Sequence, residues 1–234
     1  MAEYPMRVIA RIHNDYTDKF AVPRQSGLVS EVVSRVVFEP EYRVREALRG
    51  LEGFSHLWLI WVFDRAAREE WSPTVRPPRL GGNVRMGVFA TRSPFRPNPI
   101  AMSCVRLLEV REEPGLGQVL HVAGADLMNG TPILDIKPYL PYADSVPEAS
   151  PGWTAEAGSG LLRVECPPEV EAACPEEARA GLWAVLAQDP RPRYQHDPER
   201  VYGFRFGALE VRFRVAGDVL TVTEILPAAP DAEP

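Results

Sequence analysis

HLWLIWVF, residues 56–63, is an almost unbroken apolar run closed off by Ser55 on one side and Asp64 on the other. Its length and its aromatic and branched side chains suit a β-strand rather than a helix. With no polar alternation, it predicts a strand buried on both faces. Working outward, MRVIARIH (6–13), EVVSRVVF (31–38), RMGVFA (85–90), AMSCVRLLEV (101–110) and GQVLHVAGAD (117–126) have the same texture and are separated by turn residues. One helix is predicted from Glu41 to Arg49, where Val44, Leu48 and Leu51 recur at helical spacing. Many short strands without a helix after each favour a barrel over a doubly wound sheet. The first unit, residues 1–145, therefore reads as a single β-barrel, mainly β and not Rossmann-like.

The texture changes after Tyr142. ADSVPEASPGWTAEAGSG is rich in Pro, Ser, Ala and Gly and reads as a linker, placed at residues 146–160. Beyond it, residues 161–227 read as a small α+β unit. A helix is predicted from Glu176 to Ala187, with Leu182, Val185 and Leu186 on its apolar side. Two closing strands, FRFGALEVRFRV and VLTVTEIL, are joined through Ala216, Gly217 and Asp218. The tail, residues 228–234, reads as disordered.

Composition narrows the function. The chain has 234 residues, 45% hydrophobic, with a formal charge of −6. That length suits one large domain, or a medium one with an appendage. Net negative charge argues against a nonspecific nucleic-acid coat, which needs a broad basic surface. Cys104, Cys166 and Cys174 are far apart and form no CxxC pair, and no His stands at ligand spacing from them, so neither a disulfide framework nor a metal site is expected. MAEYPMRVIARIH lacks the apolar run of a signal peptide, and nothing reaches the ~18 apolar residues that span a bilayer. A soluble cytoplasmic protein is expected.

One stretch departs from this background. Between Trp71 and Leu108 there is no Asp or Glu, yet Arg76, Arg79, Arg85, Arg92, Arg96 and Arg106 fall there. Gly and Pro crowd its centre, GGNVRMGVFATRSPFRPNPIAMS, and stiffen the backbone where a ligand must come close. Arginine on such a loop suits phosphate or carboxylate, because its planar fork donates paired hydrogen bonds. Three further segments are too polar or too Gly/Pro-rich for scaffold: KFAVPRQSG (19–27), DLMNGTPILDIKPYLPYADS (126–145) and LAQDPRPRY (186–194). In ILDIKPY, Ile133, Asp135, Lys137 and Tyr139 alternate to one side, either as a pocket wall or as a solvent-facing sheet edge next to Pro138. No GxSxG, HExxH, Walker loop or GxGxxG is present, so a nucleotide cofactor would be held by something other than the common fold.

Taken in order, VPRQ, GLEGFSHLW, TVRPPRLGGNVRMGVFATRSPFRPNPIAMS, DLMNGTPILDIKPYLPYADS and LAQDPRPRY resemble the tRNA methyltransferase TrmO family (the YaeB/TsaA-like proteins) from about Val8 to Val215. The LAQDPRP appendage resembles the bacterial long form. The resemblance implies an enzyme that uses S-adenosylmethionine to methylate N6 of threonylcarbamoyladenosine, just 3′ of the anticodon in certain tRNAs, notably a threonine tRNA. It implies cofactor binding on a single β-barrel domain, and a homodimer. A barrel that keeps the cofactor pocket without turnover, or that methylates another acceptor, is the alternative.

Matched by motif, the resemblance places cofactor contacts on Pro23, Arg24, Gln25, Asp64, Arg65, Arg92, Met102, Asp126, Leu127, Met128 and Asn129. The family pattern carries His-Gln at Asp64-Arg65 and Asp at Asn129, so side-chain contacts differ there. Asp135 and Tyr139 are candidates for removing the proton from the acceptor nitrogen. Arg76, Arg79, Arg85, Arg96 and Lys137 are candidates for the tRNA backbone. Trp71 and Tyr139 are candidates for base stacking.

Overall fold

The structure, a computed structural model, describes residues 3–66, 70–77, 80, 84–156, 160–191 and 197–229. Arg79 and the last part of LAQDPRPRY, residues 192–194, lie outside the described residues, as does most of the tail.

The first unit contains strands β1 (Ala10–His13), β2 (Val33–Phe38), β3 (His56–Val62), β4 (Thr74–Val75), β5 (Met86–Gly87), β6 (Ile100–Glu113), β7 (Gly117–Ala123) and β8 (Pro132–Pro138). Six of them pair in the order β1-β2-β7-β6-β3-β8, and β8 returns to β1 with Ala10 opposite Ile133, so the sheet closes on itself. Every pairing in this ring is antiparallel. Strand β8 pairs with β1 only at Pro132 and Ile133 and with β3 along its length; the register shift beside Ile60 turns Ile133 into the core, so it does not share the outer face of Asp135 and Lys137. Strands β4 and β5 form a separate two-stranded ribbon within the arginine-rich stretch.

Two local expectations are corrected. Strand β3 is not buried on both faces. Leu57, Leu59 and Trp61 point into the ring core, while His56, Trp58, Ile60 and Val62 stay half-buried on the outside. Aromatic and aliphatic outward residues mask the alternation that a ring strand must have. The helix expected over Glu41–Arg49 is instead three 3₁₀ turns, Pro40–Tyr42, Arg45–Leu48 and Leu51–Gly53. Val44 is extended between the first two, and left-handed Gly50 (φ 87°) precedes the third.

The second unit holds strands β9 (Arg163–Glu165), β10 (Tyr202–Phe206), β11 (Leu209–Ala216) and β12 (Val219–Pro227), in sheet order β10-β11-β12-β9. Strand β9, absent from the sequence reading, runs parallel to β12. FRFGALEVRFRV, read as one strand, folds back at Gly207 (φ 55°) and supplies parts of two. Helices α1 (Pro141–Asp144), α2 (Pro168–Glu171) and α3 (Glu176–Ala187) complete the chain. Helix α3 has the bounds its spacing predicts, with Leu182, Val185 and Leu186 buried. Ala228 is also tied down, its N–H donating to the Ala208 carbonyl at 2.7 Å. No helix among the described residues is long and apolar enough to cross a membrane.

The units share a core. Tyr16, Ala21, Val29 and Val32, from the segment joining β1 to β2, are buried with Leu182 of α3 and Phe206 of β10. Contact is close enough that a Cβ on Gly181 would lie 2.8 Å from Val32 Cγ2. The segment carrying VPRQ is therefore held between the ring and the second unit, which positions the site.

Candidate functional site

The site is built around Asp126, just past the end of β7. Inside the ring, Trp61 Nε1–H donates to Ser103 Oγ at 2.9 Å, and the Ser103 hydroxyl donates in turn to Asp126 Oδ1. Ser103 is fully buried, so this relay carries polarity from the core to the rim. The Ser26 N–H also bonds the Asp126 carboxylate, and Ser26 Oγ accepts from the Cys104 N–H at 3.2 Å. Burial pushes the Asp126 carboxyl up; the Ser103 hydroxyl, the backbone donors and the Arg92 charge oppose that shift.

The loops around it are held by specific contacts. Gly27 N–H donates to the Gly124 carbonyl at 2.8 Å. Gly124 is left-handed, and a Cβ there would sit 3.3 Å from Gly27 Cα, so only glycine permits this approach. Arg92 Nη1 donates to Gln25 Oε1 at 2.6 Å, joining the arginine-rich stretch to VPRQ. Arg24 Nη2 donates to the Asp189 carbonyl at 3.1 Å, joining VPRQ to the second unit. Asp189 is the described non-glycine residue with positive φ, at 56°, and Arg191 Nε holds its carboxylate at 2.9 Å. The turn after Asp126 is braced internally: Asn14 Nδ2 bonds the Leu127 carbonyl at 3.0 Å, and Arg65 Nη2 the Asn129 carbonyl at 2.9 Å. Asn129 Oδ1 accepts from the Asn14 N–H at 3.2 Å.

Three loops thus converge on one carboxylate with the Arg92 guanidinium nearby. Such a constellation binds a small zwitterion carrying both a carboxylate and a cation or hydroxyls.

Residues 11–145 match the tRNA-methyltransferase O N-terminal domain, and residues 160–228 match the TrmO C-terminal domain. The tRNA (adenine(37)-N6)-methyltransferase of Escherichia coli K12 is 44% identical over 223 residues, covering 92% of this chain and 94% of that protein. The chain belongs to the tRNA-methyltransferase O family. The protein of the same description from Eikenella corrodens is 46% identical over 174 residues, covering 74% of this chain and 97% of that protein. A solved structure described as TrmO from Pseudomonas aeruginosa superposes with a TM-score of 0.79 at 33% identity, covering 97% of this chain and 99% of that one.

Within this TrmO-family chain the expected residues fall into groups. Pro23, Arg24, Gln25, Arg92 and Asp126–Asn129 lie on the converging loops; Arg65 joins them through the Asn129 carbonyl, whereas Asp64 is exposed with no side-chain bond among the described residues. Met102, half exposed, sits on β6 opposite Ile60, whose other neighbour is Asp135 on β8. Asp135 Oδ2 lies 2.7 Å from Lys137 Nζ, and Tyr139 rests against Trp58 with ring centroids 5.8 Å apart. Arg96 is turned inward, its guanidinium bonding the carbonyls of Val88, Thr91 and Ser93. Arg76 and Arg85 are exposed. Ser26, Ser103, Asn14 and Asp189 were not named individually by the sequence reading, although Ser26 and Asp189 fall in the singled-out segments KFAVPRQSG and LAQDPRPRY. Ser103 shares an inward face with Val105, and a buried hydroxyl needs a partner.

Proposed function

We propose that the chain transfers a methyl group from S-adenosylmethionine to N6 of threonylcarbamoyladenosine at position 37 of tRNA, as the names of its relatives suggest for that adenine. The observation that carries it is the half-buried Asp126 carboxylate, fed by Ser103 and Ser26 and close to Arg92, which bonds Gln25. These groups fit the cofactor. Asp126 would take its ammonium group or ribose hydroxyls, Arg24 and Arg92 its carboxylate, and Met102 its apolar parts; the Leu127 side chain is buried in the ring core. When bound, the cofactor supplies an electrophilic methyl group on a sulfonium centre. A relative from Pseudomonas aeruginosa, 42% identical over 213 residues, is described as a putative S-adenosylmethionine-dependent methyltransferase.

The protein's work is then alignment. Methyl transfer is an in-line displacement, so holding donor and acceptor together supplies much of the acceleration. Asp126 and the two arginines fix one substrate, and the exposed Arg76 and Arg85 grip the phosphates of the other. The acceptor nitrogen is part of a urea-like group and a weak nucleophile, so removing its proton helps. Asp135 is the residue proposed for that step: Lys137 Nζ lies 2.7 Å from one of its oxygens, while the other accepts the Ile136 N–H. The substrate is a threonine tRNA and the working unit a cytoplasmic homodimer in this reading.

The test incubates the protein with labelled S-adenosylmethionine and two tRNA pools, one carrying threonylcarbamoyladenosine and one lacking it. Methyl found by nucleoside mass spectrometry only in the modified pool, on that nucleoside, supports the proposal. Methyl in neither pool, despite cofactor binding by calorimetry, overturns it.

A further inference from the structure

Trp71 and Phe89 stack with ring centroids 6.3 Å apart and an interplanar angle of 24°, yet Phe89 is 76% exposed and Trp71 49%. Neither ring belongs to the core of either unit. Large aromatic side chains normally bury most of their surface, and a surface pair on rigid backbone suits a partner that stacks.

Hydrogen bonds brace the backbone here. Ser72 N–H donates to the Phe95 carbonyl at 3.0 Å and Val88 N–H to the Pro73 carbonyl at 3.0 Å, which clips the two aromatic-bearing segments together. Val88 is buried while its neighbour Phe89 faces out of the same 3₁₀ turn, Val88–Ala90. The Arg96 guanidinium ties together three carbonyls of this loop, and Trp153 Nε1 donates to the Ala90 carbonyl at 2.9 Å. The rings are thus presented by a braced scaffold.

Charge identifies the partner. Arg76 and Arg85 are exposed on the same stretch and make no ion pair among the described residues, and the sequence between Trp71 and Leu108 holds no acidic residue. Aromatic faces among unpaired guanidinium groups recognise single-stranded nucleic acid, whose bases stack while its phosphates pair. Phe89 precedes Arg92 by three residues, which puts it within ~11 Å of the Arg92 backbone by chain length alone. Arg92 contacts Gln25 and acts on Asp126, so the platform flanks the candidate cofactor site.

We infer that Trp71 and Phe89 form the stacking platform for an unpaired base of the tRNA anticodon loop, a neighbour of the nucleotide that reacts. This deepens the tRNA reading above and rests on it.

The test compares Phe89→Ala and Trp71→Ala with the aromatic replacements Phe89→Tyr and Trp71→Phe in the full chain. The probe is an anticodon stem-loop RNA carrying threonylcarbamoyladenosine, with 2-aminopurine in place of an adjacent loop base. On the stacking scale of 1–3 kcal/mol per base, each alanine variant raises KM for the RNA by about tenfold and relieves the 2-aminopurine quenching seen with the parent chain. Cofactor affinity stays within about twofold, and the aromatic replacements restore both signals. KM and quenching unchanged in both alanine variants overturn the platform, as does a fall in assembly mass by sedimentation, which would assign the rings to contact between copies. If the parent chain binds and quenches the stem-loop but transfers no methyl, the methylation reading fails and the platform stands.

Discussion

Replacing Ser103 by alanine removes the group that accepts from Trp61 Nε1 and donates to Asp126. Trp61 is 5% exposed and Ser103 0%, so no water can replace the lost oxygen without opening the ring. A buried donor left without a partner costs about 1–3 kcal/mol, and Asp126 loses a bond that favours its charged form. We expect a loss of about 2 kcal/mol, which for a chain of this size lowers Tm by roughly 4–8 °C. The carboxyl of Asp126 rises further, so cofactor affinity falls more steeply as pH is lowered. Calorimetry of Ser103→Ala, Trp61→Phe and the double variant separates relay from packing. Trp61→Phe removes the orphaned N–H, so the double variant should lose at least ~0.5 kcal/mol less than the sum of the singles. Strict additivity, or a Ser103→Ala variant within about 0.5 kcal/mol of the parent, refutes the relay.

Asp126→Asn should raise Tm at neutral pH while abolishing most cofactor binding. Burial raises the folded-state pKa above the ordinary 3.8, so ionised Asp126 destabilises the fold as pH climbs through that window; the Tm gain should therefore vanish near pH 3, and a gain that persists there rules the explanation out. Asp135→Asn should lower kcat by about 10² or more with cofactor affinity kept, and near-normal turnover would remove Asp135 from the chemistry. Asp189→Ala must hold alanine at a φ of 56°, a strain of about 1–2 kcal/mol that Asp189→Gly avoids. Both lose the Arg191 pair, so Tm of the alanine variant should lie below that of the glycine variant; equal values argue against backbone strain. Gly181→Ala gains helix propensity of about 1 kcal/mol but meets Val32 Cγ2 at 2.8 Å, so a net loss of Tm is expected and a rise would show that the shared core yields.

What the sequence disclosed was local. Helix α3 could be bounded because Leu182, Val185 and Leu186 repeat at its own period, and β6 and β7 could be located, though not bounded, because branched residues cluster between turns. The arginine-rich loop was visible through charge alone. Long-range matters were hidden. Arg24 meets Asp189 across 165 positions, and Asn14 reaches Leu127 across 113; no periodicity records such pairs. Arg96 shows how composition misleads: it counts as cationic surface in the sequence, yet its guanidinium satisfies backbone carbonyls. The 3₁₀ turns near Val44 were hidden for the opposite reason, since apolar spacing suited a helix while Val44 itself is extended.

The same long-range contacts explain why the second unit is more than an appendage. The segment carrying VPRQ is anchored on the ring, through Gly27 to Gly124 and Ser26 to Cys104, and on the second unit, through Arg24 to Asp189. Around these anchors Tyr16, Ala21, Val29 and Val32 are buried almost completely, and their partners in that core come from α3 and β10–β12. At about 1.5–3 kcal/mol for each large apolar side chain, uncovering Tyr16, Val29 and Val32 would cost roughly 5–9 kcal/mol. That is comparable to the whole stability of a typical domain, so the segment's placement depends on the second unit. Two arginines of the candidate site are thus set by different parts of the chain: Arg92 by the braced arginine-rich loop, Arg24 by the second unit. A ligand gripping both would read the assembled fold, and neither loop alone would hold it.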